Sequence, residues 1–110
     1  MIDAGSALTI DLVSATGLHE GGYIIPGPAL MERALLLDTD RVRFEESAEF
    51  SLAPGISTAE AVRHGIALAQ AGAAMLALDR AAGDTPTLVF CGGGGETLKD
   101  LLNRGGQVIP

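Results

Sequence analysis

Two apolar-alternating segments joined by a short glycine turn lie near the start of the chain, and they restrict what the remainder can build. Ala7, Leu8, Ile10, Leu12 and Val13 are the apolar members of the first segment, with Thr9 and Asp11 between them. Ala15-Thr16-Gly17 supplies the turn and Tyr23 to Ile25 the returning strand, so the pattern predicts an antiparallel hairpin. Directly before it stands Asp3-Ala4-Gly5-Ser6. A turn of this composition can do one kind of chemistry well. Gly5 lets a phosphate approach the backbone, Ser6 offers a hydroxyl and an N–H to its oxygens, and Asp3 can hold a cation or water beside them. The same four residues also close ordinary turns, and taken by themselves they leave both readings open.

The remaining elements alternate in a way that predicts an α/β fold. Pro28 suits the first turn of a helix over 28–37, with Leu30, Met31, Ala34 and Leu35 as its buried face. The charged stretch 38–49 reads as a solvated linker or short strand, and its Arg41 and Arg43 as surface charges among several acids. Ser57-Thr58-Ala59-Glu60 carries the spacing of a capping box and opens a long helix to about Ala81. Val62, Gly65, Ile66, Ala69, Gly72, Ala73 and Leu76 form one face of it, predicted to be an internal or dimer-packing surface. A strand over 87–91, apolar throughout, is expected to be covered on both sides. It runs into Gly92-Gly93-Gly94-Gly95 and a helix over about 97–103, with Leu98, Leu101 and Leu102 inward. Strand, glycines, helix can lay a nucleotide across backbone, although four glycines can equally mark a plain turn.

The chain has 110 residues, enough for one core, and a formal charge of −7. That balance argues against a nucleic-acid-binding surface but not against a nucleotide held by backbone amides and a divalent cation. Cys91 is the only cysteine and reads as a small buried hydrophobe rather than a reactive thiol. His64 reads as a surface or cap-region side chain rather than a base. No basic-then-apolar leader opens the chain, and the apolar stretch 65–78 falls short of the roughly 20 residues a bilayer requires. A soluble, cytoplasmic protein is expected.

Taken in order, Asp-x-Gly-Ser-Ala-x-Thr-x-Asp from Asp3, Gly-Gly-Tyr-Ile-x-Pro-Gly from Gly21, Ser-Thr-x-Glu-Ala-Val from Ser57 and the strand ending in Gly92-Gly93 resemble the C-terminal half of a type III pantothenate kinase. The resemblance runs over nearly the whole chain. It implies a ribonuclease H-like domain of the actin-type ATPase class, a mixed sheet with flanking helices, forming the C-terminal lobe of a two-lobed kinase. The lobe before it, absent here, would hold the first phosphate loop and the acidic catalytic base, so no catalytic residue is expected in this chain and the isolated lobe is expected to be inactive. The resemblance implies ATP, Mg²⁺ and a monovalent cation, K⁺ or NH₄⁺, with pantothenate as substrate and a homodimer as the assembly. Residue by residue, it implies that Asp3 ligates the monovalent cation and that Gly5 and Ser6 meet ATP phosphate, Ser6 standing where Thr is usual. Gly92 and Gly93 would lie near the adenosine, although the run continues as Gly94-Gly95-Glu96 where relatives often have Gly-Gly-Asp. Thr58 would contact pantothenate across the subunit interface. Asp11, the second acid of the hairpin strand, suits a supporting role on the cation side. A branch of the same family was described as transcriptional accessory factors, which supplies the alternative function.

Overall fold

The structure is a computed structural model that describes residues 1–38, 48–81 and 86–110. Its elements are, in order, β1 (Ile2–Ala4), β2 (Ala7–Val13), β3 (His19–Pro26), α1 (Pro28–Asp38), α2 (Thr58–Arg80), β4 (Val89–Cys91), α3 (Gly95–Leu102) and β5 (Gln107–Val108). Residues 39–47 of the charged stretch, Arg41 and Arg43 among them, lie outside the described residues.

The strands form one mixed sheet in the order β3-β2-β1-β4-β5. The predicted hairpin is its antiparallel half, pairing Leu8 with Ile25 and Ile10 with Tyr23. Gly17, at φ +86, closes its turn, and the Ser14 amide donates to the Leu18 carbonyl at 2.8 Å. β1 runs antiparallel to β2 and parallel to β4, with Asp3 opposite both Thr9 and Cys91. Alternation along the strands then sorts the two faces. Ile2, Ala4, Leu8, Ile10, Leu88 and Phe90 join Ala71, Ala74, Ala77, Leu98 and Leu102 in one core, which puts α2 and α3 on the same side of the sheet. Val89 and Cys91, on the alternate positions of β4, are only half-buried. The strand is therefore covered fully on one face rather than two, and Cys91 is less enclosed than its apolar context suggested.

α2 begins as its sequence requires. The Ser57 hydroxyl accepts from the Glu60 amide at 3.2 Å, while the Glu60 carboxylate reaches back to the Ile56 amide at 3.0 Å, one residue earlier than the standard box. The face it buries is not the predicted one. Ala59, Ile66, Ala67, Gln70, Ala71, Ala74 and Ala77 are turned inward. Of the predicted set, only Ile66 is buried, and Gly65, Ala69, Gly72 and Leu76 are exposed. The reason is the absence of contrast: alanines occupy nearly every phase of this helix, so periodicity does not say which side meets the sheet. The inward side also holds Gln70, the one buried polar side chain among the described residues, whose amide donates to the Pro26 carbonyl at 2.8 Å. By length and composition α2 could cross a membrane. Here it lies along the sheet.

The predicted buried face of α1 is likewise corrected. Leu30, Ala34 and Leu35 are exposed and Met31 only half-buried. They line, with Thr58, Val62, Gly65 and Ala69 of α2, an open apolar groove of about 720 Å³. The two helix faces expected to be internal thus look at one another across a groove.

Candidate phosphate-binding end of the sheet

β1, β3 and β4 all point the same way, since β2 opposes both of its neighbours and β4 is parallel to β1. Their carboxyl ends therefore deliver three connections to one edge: the Gly5-Ser6 turn, the Pro26-Gly27 junction and the Gly92–Gly95 loop. Ligands of open α/β sheets are characteristically held outside the carboxyl ends of the strands.

Backbone hydrogen bonds tie these connections together. The Gly5 amide donates to the Ala7 carbonyl at 3.0 Å, tightening the turn. The Gly27 amide donates to the Ser6 carbonyl at 3.0 Å, and the Gly94 amide to the Ala4 carbonyl at 2.8 Å. Such close approaches need glycine. A Cβ on Gly27 would stand 2.5 Å from the carbonyl oxygens of Gly5 and Ser6. A Cβ on Gly92 would stand 2.6 Å from both the Ala4 carbonyl oxygen and Asp3 Oδ1, and Gly92 also holds φ at +85. The Asp3 carboxylate thus lies directly over the backbone of the glycine loop. Asp3 and Ser6 are both exposed, and among the described residues no hydrogen bond or ion pair engages either side chain. Gly93 sits at the open side of the loop, with nothing within 4 Å of its would-be Cβ.

The structure therefore brings together Asp3, Gly5, Ser6, Gly92 and Gly93. Thr58 stands elsewhere, at the first position of α2 in the wall of the apolar groove. Ser57 takes the capping role, leaving the Thr58 hydroxyl free of protein partners among the described residues. Asp11 lies two positions beyond Thr9, towards the hairpin turn, and its carboxylate meets His19 Nε2 at 2.9 Å. His64 Nδ1 bonds the Ala53 carbonyl at 2.8 Å, which makes it an anchor for the segment before α2 rather than a base. Gly27 was visible in the sequence as part of a Pro-Gly pair. Its packing against the Gly5-Ser6 turn depends on strand register, which no local pattern encodes.

The fit to a cation can be judged from the donor set. Among the described residues no three His, Cys, Asp or Glu side chains gather as a metal cage. Asp3 offers one free carboxylate beside a loop open to phosphate oxygens. This donor set suits a hard cation shared with a phosphorylated ligand, not one enclosed by protein alone.

A family model described as type III pantothenate kinase matches residues 1–80. The chain belongs to the type III pantothenate kinase family. A type III pantothenate kinase of Marinobacter nauticus is 51% identical over 67 residues, covering 61% of this chain and 28% of that protein. One from Pseudomonas putida is 39% identical over 117 residues, covering 100% of this chain and 47% of the relative. Among solved structures, a conserved putative Baf family transcriptional activator from Campylobacter jejuni superposes with a TM-score of 0.67 at 28% identity, over 97% of this chain and 48% of that one. The chain thus spans half or less of the length of these type III pantothenate kinase relatives and of the structural neighbour.

Proposed function

We propose that this chain forms the phosphate-binding lobe of a kinase that transfers the γ-phosphoryl group of ATP to pantothenate, giving 4′-phosphopantothenate, the first step of coenzyme A biosynthesis. The observation that carries the reading is the convergence of Asp3, Gly5, Ser6 and Gly92 at the carboxyl edge of the sheet. The strand order, three antiparallel strands followed by two parallel ones, supports a ribonuclease H-like domain of the actin-type ATPase class.

Phosphoryl transfer asks a protein mainly to position groups and offset charge. In this reading the Ser6 hydroxyl and amide donate to phosphate oxygens, and Gly5 and Gly92 keep Cβ atoms out of the way. Gly92 and Gly93 border the adenosine, and the first-turn amides of α3 face the same edge. The Asp3 carboxylate holds a monovalent cation, K⁺ or NH₄⁺. Mg²⁺ and that cation supply neutralisation of the phosphate charge when bound. Removal of the pantothenate hydroxyl proton falls to a carboxylate base outside this chain. Thr58 donates to pantothenate from the groove wall, and its separation from Asp3 and Ser6 suits a site completed by a second subunit. The exposed stripe of Ala61, Gly65, Leu68, Ala69, Gly72 and Leu76 along α2 supports a homodimer, because small residues let a second helix approach closely. In this reading the protein works in the cytoplasm, and this lobe alone is expected to lack activity.

A transcriptional accessory role is the second reading, favoured by the likeness to the Campylobacter protein, a putative transcriptional activator. The formal charge of −7 disfavours direct contact with DNA. Product formation tests the primary reading. The intact protein should convert pantothenate to a phosphorylated product only when ATP and Mg²⁺ are present. Unchanged pantothenate under these conditions would end the kinase reading and leave the regulatory one.

A further inference from the structure

Arg63 fills an unspecified position of the Ser-Thr-x-Glu-Ala-Val-x-x-Gly stretch from Ser57 to Gly65, yet it has more defined contacts than any other charged side chain among the described residues. Its Nε donates to Glu32 Oε1 at 2.9 Å and its Nη2 lies 3.5 Å from Glu32 Oε2, so the guanidinium grips the carboxylate with two nitrogens. Nη1 donates to the Ala48 carbonyl at 2.7 Å, and the cation stands 5.8 Å from the centre of the Phe50 ring. Both partners of the ion pair are about three-quarters buried, with side-chain exposures of 27% and 23%. This is far from a solvated surface pair, whose contribution is usually small.

The three contacts join three parts of the fold. Glu32 follows Met31 on α1, and Arg63 follows Val62 on α2; Met31 and Val62 line opposite walls of the groove that holds Thr58. Ala48 and Phe50 belong to the segment leading into α2. That segment is fastened again by His64 at Ala53 and by Glu60 at Ile56, all from the first two turns of the helix. Only a planar fork can serve a carboxylate and a carbonyl at once in this way; a lysine would supply one of the contacts but not the set.

We infer that Arg63 is a positioning residue for the substrate: by clamping α1 and the 48–56 segment to α2, it fixes the width of the Thr58 groove and hence the placement of pantothenate. The inference rests on the kinase reading above. A small displacement of a positioning wall costs affinity for the group it positions and leaves a remote site alone.

The test is steady-state kinetics on the intact enzyme with each substrate varied in turn. Arg63→Met should raise KM for pantothenate by about tenfold or more, with KM for ATP and kcat changed less than about twofold. Arg63→Lys should recover part of the loss, and Glu32→Gln, which keeps the shape and one acceptor, should show a smaller shift in the same direction. Should Arg63→Met not fold, the other two variants carry the same comparison. An unchanged KM for pantothenate, or equal changes in both KM values, overturns the inference. A wild-type enzyme with no pantothenate-dependent turnover removes the kinase reading itself, and the inference with it.

Discussion

Gly92→Ala is expected to abolish phosphoryl transfer and to cost about 2–4 kcal/mol of stability, because two independent constraints meet at this residue. The first is conformational. At φ +85 the backbone is in the left-handed region, where a Cβ is strained whatever space surrounds it. The second is steric. The added methyl would stand 2.6 Å from the Ala4 carbonyl oxygen and from Asp3 Oδ1, and 2.8 Å from the Ala4 carbonyl carbon. Two of these atoms are backbone of the central strand and cannot rotate away. The Asp3 carboxylate would swing, and it is the group assigned to the cation. Loss of turnover should therefore exceed what the stability change alone produces. Chemical denaturation together with turnover measured well below the melting temperature separates the two. Gly93→Ala, where the same methyl meets nothing within 4 Å, is the matched control and should retain the fold.

Phe90→Ala should destabilise the protein by about 3–5 kcal/mol, the usual range for deleting a buried aromatic side chain. Phe90 is fully buried in β4, between two parallel neighbours, and is among the largest enclosed side chains of the described core. It also lies close to the start of α3 and to the glycine pair before β5. Its Cβ lies 3.5 Å from where a Gly95 side chain would begin, and its ring 2.9 Å from the corresponding point on Gly106. The cavity left by truncation would thus open beneath the glycine loop as well as the core. Against the roughly 5–15 kcal/mol that holds a typical domain together, such a loss leaves a chain folded only marginally at 37 °C. Thermal unfolding followed by circular dichroism measures it, and Phe90→Leu should recover more than half of the deficit.

Much of this architecture is written in local sequence. The hairpin is legible because apolar and polar residues alternate on either side of Gly17, and the start of α2 because Ser57 and Glu60 stand three apart. The strand-to-glycine passage at Cys91-Gly92 is equally plain. Phase and partnership are not. The buried faces of α1 and α2 differ from those the sequence predicts because leucine, alanine and glycine leave little polar contrast around either helix, so the side that meets the sheet is decided by docking. The site followed the same division. Asp3, Gly5 and Ser6 could be named from their motif, but the contact of Asp3 with Gly92 comes from the parallel pairing of β1 with β4. The Arg63–Glu32 pair spans 31 residues and joins two helices, and no spacing rule reaches that far.

In the proposed function, the carboxyl edge of this sheet, Asp3 included, is the phosphate and cation side of a pantothenate kinase. ADP release by the intact protein tests it most directly, with ATP, Mg²⁺ and pantothenate, in K⁺ and again in Na⁺, for wild type and Asp3→Asn. Pantothenate-dependent turnover in K⁺ is expected to fall by about a hundredfold in Asp3→Asn and to drop for the wild type in Na⁺, the scale of losing one electrostatic contact to the transferring phosphate, here the cation that Asp3 would hold. Wild-type turnover indifferent to the cation and undiminished in Asp3→Asn would contradict it.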